Sequence, residues 1–338
     1  MSGLQKSAIN VVFGSMTIGR PGLEGVRVTT LEETAEILDV FQKHGHSEVD
    51  TARLYCQGSS EEYLGNAQWQ KRGLSMDTKL YPTAGRLSAI SSEDYSHKPE
   101  DLRKGLKRSL EALKTSKLDM WYLHGPDRST PFEVTLREVD NLHKEGFFER
   151  FGISNYMSWE VAKICEICDK HGWIKPSVYQ GIYHALQRSI EPELFPCLRY
   201  YGMSLYAFQP LAGGLLTDRY HRDTKDFEEG SRFDPKTWRG NLHQQRYWND
   251  FYFDALDIIR PVAKKHGLTE AECALRWLTH HSQLKKDLGD AIIVGASGAK
   301  QLEQNLVDIE KDGLPEEVVQ ALDAAWLCVR GVVPKYWH

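Results

Sequence analysis

The sequence predicts a (β/α)8 barrel, a closed ring of eight parallel strands in which each strand is followed by a helix. Three observations predict this fold. Short runs rich in apolar residues recur about every 30 residues along most of the 338-residue chain. Most of these runs are nearly continuous rather than alternating, as expected for parallel strands that are covered on both faces. Between them lie stretches in which apolar residues return at helical spacing.

The runs give eight strands. They are predicted at Asn10–Ser15, Glu48–Ala52, Met76–Leu80, Asp119–His124, Phe151–Asn155, Val178–Ile182, Ser204–Phe208 and Ala291–Val294. Two apolar stripes mark intervening helices, one formed by Leu102, Leu106, Leu110 and Leu113 and one by Val161, Ile164, Cys165 and Cys168. A doubly wound sheet would need a Gly-x-Gly-x-x-Gly turn after the first strand, but Gly14 and Gly19 have a different spacing.

Three helix starts carry the capping-box pattern, in which a threonine is followed three residues later by a glutamate. The pattern occurs at Thr30–Glu33, Thr130–Glu133 and Thr269–Glu272. Pro131 would occupy the favoured first helical position of the second of these helices.

Two stretches fall outside the strand–helix repeat. A polar, aromatic-rich insert runs from Gly213 to about Tyr252, and a loop of this length inside a compact domain is usually functional. The tail after Val329 continues past the last helix. We expect a single barrel domain over residues 1–338, with the insert after the seventh strand and the tail both lying over the site.

Composition excludes several classes of protein. The 42 basic and 47 acidic side chains give a net charge of −5, and no basic cluster indicates a nucleic-acid partner. No apolar stretch is long enough for a membrane span, and no secretory signal is visible near the first residues. The six scattered cysteines are typical of reduced thiols, so we expect a cytoplasmic enzyme.

Polar residues at the carboxyl ends of consecutive strands form an acid–base set, because these ends meet at one site in a barrel. The set is Asp50, Tyr55, Lys79 and His124. Lys79, held charged by Asp50, would lower the pKa of Tyr55, so that Tyr55 could protonate an alkoxide while His124 orients a carbonyl. Each residue alone is more often structural, but four compatible types at neighbouring strand ends favour catalysis. None of them donates hydride, so a reduction would need a cofactor.

Further residues converge on the same site, since Ser154 and Asn155 end the fifth strand, Gln180 lies on the sixth and Phe208 on the seventh. A separate signal points to the cofactor. The eighth strand runs through the Gly295–Gly298 loop into a helix beginning near Ala299. A glycine-containing loop that opens a helix is a common phosphate site in barrels, although such turns also simply start helices.

The chain resembles the aldo-keto reductases, and within them the aflatoxin-aldehyde (succinic-semialdehyde) reductase branch. The motifs that carry the resemblance are His46-Ser-Glu-Val-Asp50-Thr-Ala, Tyr122-Leu-His-Gly-Pro-Asp-Arg-Ser-Thr-Pro131, Gly152-Ile-Ser-Asn-Tyr156, Val178-Tyr-Gln-Gly181, Glu193-Leu-Phe-Pro-Cys-Leu-Arg199, Tyr206-Ala-Phe-Gln-Pro-Leu-Ala-Gly-Gly-Leu-Leu216 and Gln301-Leu-Glu-Gln-Asn-Leu306. Together, in this order, they are highly specific.

The resemblance implies reduction of an aldehyde or ketone by NADPH, without a metal ion. It makes Tyr55 the proton donor, tuned by Asp50 and Lys79, and His124 the carbonyl-orienting residue. The residues implied for cofactor binding are Ser154, Asn155, Gln180, Phe208, Gln209, Leu211, Gly213, Ser297, Gln301, Gln304 and Asn305. It also implies a homodimer with a small-molecule carbonyl substrate.

Departures from the branch concern the substrate. Thr83 stands where an aromatic residue is expected, Gly125 where a bulkier one is expected, and His338 ends the chain in place of an arginine that can hold a carboxylate. We therefore expect a wider pocket, less dedicated to short carboxylated aldehydes, in which Arg246 could still bind an anionic group. Two alternatives stay open, namely an NADPH-binding regulatory subunit with little turnover and a biosynthetic oxidoreductase for one pathway intermediate.

Overall fold

A computed structural model describes residues 6–85, 87, 91 and 93–338 of the chain. The strands are β1 (Asn10–Gly14), β2 (Glu48–Asp50), β3 (Ser75–Leu80), β4 (Leu118–Leu123), β5 (Phe148–Ser154), β6 (Val178–Ile182), β7 (Ser204–Phe208) and β8 (Ala291–Val294). Each strand pairs in parallel with the next, and β8 pairs with β1, so the sheet closes into a barrel. The predicted (β/α)8 fold is confirmed.

Helices follow the strands along the chain and cover the barrel. They are α1 (Leu31–Lys43), α2 (Ser59–Asn66), α3 (Pro99–Leu113), α4 (Phe132–Lys144), α5 (Ser158–His171), α6 (Leu194–Tyr200), α7 (Trp238–Tyr247), α8 (Asp250–Lys265), α9 (Glu270–His280), α10 (Ala299–Ile309) and α11 (Glu316–Val329). The two predicted apolar stripes lie on α3 and α5, and all eight of their side chains are buried. No helix among the described residues is long and apolar enough to cross a membrane.

The three predicted capping boxes have different outcomes. At α1 both bonds form, since the backbone N–H of Glu33 donates to Thr30 and the backbone N–H of Thr30 donates to the Glu33 carboxylate, each at 3.1 Å. At α9 the Thr269 hydroxyl accepts from the backbone of Glu272, whose carboxylate pairs instead with Arg276.

The box predicted at Thr130 is wrong. Its hydroxyl donates backward to the Asp127 carboxylate at 2.8 Å, and α4 begins only at Phe132. Pro131 is therefore the residue before the helix rather than its first residue. Asp127 also accepts from the hydroxyl of Ser129, so this loop satisfies its polar groups without the helix.

The insert after β7 is more regular than predicted, because it contains the ten-residue helix α7. The Thr237 hydroxyl accepts from the backbone of Gly240 and caps this helix. His243 and Tyr247, one turn apart, are its buried side chains. They pack against Phe233, which is fully buried, so α7 forms mainly through tertiary contacts that a weak apolar period does not reveal.

The apolar core has two layers. The larger layer fills the space between strands and helices. A smaller cluster fills the barrel interior and consists of Val12, Met120, Tyr122, Val178, Tyr206, Ala291 and Ile293. The interior is packed rather than open, so the free space of the barrel lies at its carboxyl end.

Candidate active site

A cavity of about 750 Å³ lies at the carboxyl ends of the strands. Strand ends, the loop after β1, the insert and the terminal residue His338 form its wall. Three of the four predicted catalytic residues, Asp50, Tyr55 and His124, line the cavity. The fourth, Lys79, lies behind Asp50 and is fully buried. The strand ends thus bring the predicted set together.

Asp50 and Lys79 form a buried ion pair. The Lys79 Nζ donates to Oδ1 and Oδ2 of Asp50 at 2.6 and 2.5 Å and to the carbonyl oxygen of Thr51 at 2.7 Å. Gln180 adds an N–H to the Asp50 carboxylate at 2.8 Å. Burial alone would lower the pKa of Lys79, but Asp50 and Tyr55 outweigh it and raise that pKa above its usual value. Lys79 is therefore a permanent cation beside the cavity.

Tyr55 is held by an unusual turn. Cys56, Gln57 and Gly58, which follow it, all have left-handed backbone conformations, with φ of 50°, 55° and 89°. Such conformations cost energy in non-glycine residues and concentrate at functional sites. The turn directs the Tyr55 ring toward Lys79, whose Nζ lies 5.0 Å from the ring centroid.

The predicted lowering of the Tyr55 pKa is wrong for the protein on its own. Burial raises the pKa of Tyr55, and the opposing effect of Lys79 does not cancel it; Asp50 raises it further. The prediction counted the cation but not the loss of solvent around the phenol. Tyr55 is therefore a protonated phenol at neutral pH.

His124 faces the Tyr55 ring edge-on, with ring centroids 5.6 Å apart. Burial, with Lys79 and His338 adding to it, holds the pKa of His124 well below its usual value. A neutral imidazole has one N–H to donate and no charge to give up. Tyr55 and His124 can therefore divide two tasks, proton donation and hydrogen bonding.

The predicted residues of β5 to β7 line the same cavity. Ser154, Asn155, Gln180, Phe208 and Gln209 all reach its surface. Asn155 and Gln209 follow β5 and β7 with left-handed φ of 65° and 58°. The Asn155 Nδ2 donates to the His124 carbonyl oxygen at 2.9 Å, which links this side of the cavity to the acid–base set.

The loop after β8 forms another part of the wall. Gln301 receives the backbone N–H and the hydroxyl of Ser297 at 2.7 and 2.9 Å, so both side chains are fixed at the start of α10. Asn305 also lines the cavity, and its buried Nδ2 has no partner among the described residues. Gln304 does not line the cavity and donates to Asp308 at 3.1 Å.

Comparison with known proteins identifies this arrangement. The sequence profile of the "Aldo/keto reductase family" matches residues 10–327. The chain belongs to the aldo/keto reductase family. It is therefore an oxidoreductase.

Relatives cover nearly the whole of this aldo/keto reductase. Aldo-keto reductase pigE of Monascus ruber is 52% identical, with 98% of both chains covered. Human aldo-keto reductase family 7 member A3 is 40% identical, with 99% of both covered. Mouse aflatoxin B1 aldehyde reductase member 2 is 41% identical, with 97% of this chain and 87% of the mouse protein covered. The predicted resemblance to that branch is confirmed.

A solved structure supports the fold of the reductase. Glycerol dehydrogenase of Gluconobacter oxydans superposes with a TM-score of 0.74 at 23% identity, covering 96% of this chain and 93% of the other. At this identity the likeness concerns the barrel alone.

Sequence reasoning missed most of the arginines that the insert brings to the reductase cavity. Arg232, Arg239 and Arg246 line it together with His243. The Arg239 Nη1 and the His243 Nε2 are buried without a partner among the described residues. The seven-residue spacing of Arg239 and Arg246 and the four-residue spacing of Arg239 and His243 place all three on one face of α7. That spacing was the available signal, but it had meaning only once a helix was recognised.

The substrate side of the reductase departs from expectation. Arg246 and His338 line the cavity, but Thr83 and Gly125 do not. Thr83 is buried, and its hydroxyl bonds the backbone of Glu93 and Tyr95. A Cβ at Gly125 would lie 2.8 Å from the Tyr81 ring, so Tyr81 fills the space that the glycine leaves. Neither small residue widens the cavity directly.

Proposed function

We propose that this aldo/keto reductase reduces aldehydes or ketones to alcohols with NADPH. The observation that carries the proposal is the convergence of Asp50, Tyr55, Lys79 and His124 on one cavity. When bound, the reduced nicotinamide supplies the hydride that the carbonyl carbon needs. The residues of the chain then have to orient the carbonyl and protonate its oxygen.

The geometry supports a defined role for each group. Tyr55 keeps its proton at neutral pH and gives it to the alkoxide, which is much more basic than a phenolate. The phenolate left behind gains stability from the neighbouring Lys79 cation, which Asp50 holds in place. Neutral His124 donates its N–H to the carbonyl oxygen and places the reacting carbon.

The family resemblance assigns further residues of the chain to NADPH. Ser154, Asn155 and Gln180 would hold the carboxamide, Phe208 would stack on the ring, and the loop from Leu211 to Leu215 would lie along the pyrophosphate. The start of α10 favours an anion, because the N-cap residue Gly298 has no side chain to cap the helix and the helix dipole is positive there. The unpartnered Asn305 Nδ2 supplies a further donor.

The family resemblance assigns Ser297, Gln301, Gln304 and Asn305 to the adenosine 2′-phosphate and adenine of NADPH. Gln301→Glu should therefore weaken NADPH binding by about tenfold or more, because the new carboxylate would face that phosphate. NADH, which lacks that phosphate, should bind the variant and the original chain about equally. Dissociation constants from the quenching of tryptophan fluorescence provide the measurement. Gln304→Glu is the matched control, because it adds the same charge one turn further along α10 at a position that does not line the cavity. Equal losses in both variants would place the phosphate elsewhere.

The carbonyl substrate should be larger than a short carboxylated aldehyde. Leu54, Tyr81 and Leu242 give the cavity apolar walls, and His338 offers an imidazole where the branch has a guanidinium. We expect kcat/KM for bulky aromatic carbonyls to exceed that for succinic semialdehyde by about tenfold, the value of one or two well-buried methylene groups.

The oxidation of NADPH, followed by its absorbance with a panel of small, aromatic and bulky carbonyls, tests both the reduction itself and the preference for bulky substrates. If succinic semialdehyde is the best substrate, the pocket is not wide in the sense proposed. If NADPH binds tightly and no carbonyl is reduced, the chain is a cofactor-binding regulatory subunit instead.

A further inference from the structure

The barrel interior beneath the active site holds a second acidic side chain. On β2 and β3 alternate residues face inward, which places Glu48 below Asp50 and Asp77 below Lys79. The strand register pairs Asp50 with Asp77, so the two carboxyl groups come from adjacent positions. Asp77 is fully buried. Sequence analysis did not select it, because it lies within a strand rather than at its end.

In the part of the chain that the structure describes, Asp77 has no cation of its own in the barrel interior. Lys79 is paired with Asp50, and Arg150 is paired with Glu48 at 2.8 Å. Glu48 also accepts from the Tyr206 hydroxyl at 3.0 Å. No N–H or O–H group among the described residues donates to either carboxyl oxygen of Asp77, and the Glu48 carboxylate lies within hydrogen-bond reach of it. Both interior cations are therefore committed to other carboxylates.

The ionisable groups around Asp77 come from every neighbouring strand. They are Glu48 and Asp50 on β2, Lys79 on β3, Tyr122 on β4, Arg150 on β5 and Tyr206 on β7. Burial raises the pKa of Asp77 well above its ordinary value, and Glu48 and Asp50 raise it further, whereas Arg150 opposes them. An unpaired buried carboxyl group avoids the cost of desolvating a charge by keeping its proton.

We propose that Asp77 is a positioning residue of the reductase, a neutral carboxylic acid beneath the Lys79–Asp50 pair whose ionisation at alkaline pH weakens the support that Lys79 gives to Tyr55. The inference rests on the proposed role of Tyr55. It adds that Lys79 faces one carboxylate at neutral pH and two at alkaline pH. With two, less of its positive charge is available to stabilise the phenolate.

Asp77→Asn tests the inference, because asparagine has the same shape and cannot ionise. Above the pH at which Asp77 loses its proton, the variant should have a Tyr55 pKa about one unit lower than the unaltered chain. The ultraviolet difference spectrum of tyrosinate, referenced in each background to Tyr55→Phe, measures that pKa without any turnover. The alkaline decline of kcat measures the same effect during reduction.

Asp119→Asn is the matched control. Asp119 lies next to β3 on the neighbouring strand β4, and its carboxylate accepts the backbone N–H of Met76 at 2.7 Å, a bond that asparagine can keep. In Asp119→Asn the pKa of Tyr55 should equal that of the unaltered chain. An equal Tyr55 pKa in Asp77→Asn would overturn the positioning role, and so would an equal shift in the control.

An infrared measurement covers the case in which Asp77→Asn folds poorly. In a Glu270→Gln background, which removes another buried carboxyl group whose pKa burial raises to about 7, the reductase should show the C=O stretch of a protonated carboxyl group at neutral pH. This band should disappear at alkaline pH as Asp77 ionises. A neutral-pH spectrum without that band would overturn the inference. A chain that shows the band and the Tyr55 shift but reduces no carbonyl would instead refute the proposed function.

Discussion

Tyr55→Phe should lower kcat for carbonyl reduction by about 10²–10⁴-fold, the usual contribution of a positioned proton donor. Phenylalanine retains the ring that packs edge-on against His124 and faces the Lys79 Nζ, so the walls of the cavity stay in place. Only the transferable proton is removed. The rate of NADPH oxidation at saturating substrate measures kcat, and the NADPH dissociation constant is measured beside it. The loss should be in kcat, with the dissociation constant nearly unchanged.

Tyr81→Phe is the control for this experiment. The Tyr81 ring also contacts His124 edge-on at 5.6 Å and lines the same cavity. The Lys79 Nζ, 5.0 Å from the centroid of the Tyr55 ring, is left untouched by this change. We expect less than about a tenfold loss. Undiminished turnover in Tyr55→Phe, or equal losses in the two variants, would show that another group donates the proton.

The barrel could be predicted from the sequence because a parallel strand that is covered on both faces has little choice of composition. β6, β7 and β8 were predicted with their observed ends. The start of β5 was missed by three residues, since Glu149 and Arg150 interrupt its apolar run. The helix α7 was missed for a related reason, because its buried face carries a histidine and a tyrosine rather than aliphatic residues. Periodicity predicts an element only where burial and hydrophobicity coincide.

The acid–base set was predictable because topology alone brings strand ends together. The predictions about this site that were wrong concern the surroundings of these four residues. The pKa of Tyr55 depends on how completely the protein encloses the phenol, which no motif records. Gly125 suggested free space, but whether space is free depends on Tyr81, which comes from another loop. Residues fixed by the fold were predictable, whereas solvent exposure and side-chain packing required the structure.

Lys79→Met should destabilise the reductase by about 3–5 kcal/mol, because it leaves the Asp50 carboxylate buried without its cation. Asp50 is almost completely buried, and the Gln180 N–H would be its remaining side-chain partner. Urea unfolding at several pH values is the measurement. Burial already raises the pKa of Asp50 while Lys79 is present, and the variant should raise it further. Because the pKa of Asp50 is higher in the folded than in the unfolded protein, the free energy of unfolding falls as the pH rises. The loss of stability in the variant should therefore be largest at high pH. Equal losses at pH 5 and pH 8 would contradict this explanation.

Lys79→Met combined with Asp50→Asn separates stability from catalysis. Asparagine can still accept the Gln180 N–H, and the unpaired charge at position 50 is gone, so most of the lost unfolding free energy should return. Activity should not return with it, because the phenolate of Tyr55 would have lost the cation that lies against its ring, and kcat should stay at least about 10²-fold low. If the double variant recovered both stability and turnover, the pair would be structural, and the proton donor would work without Lys79. If it recovered neither, the ion pair would not be the origin of the single variant's loss of stability.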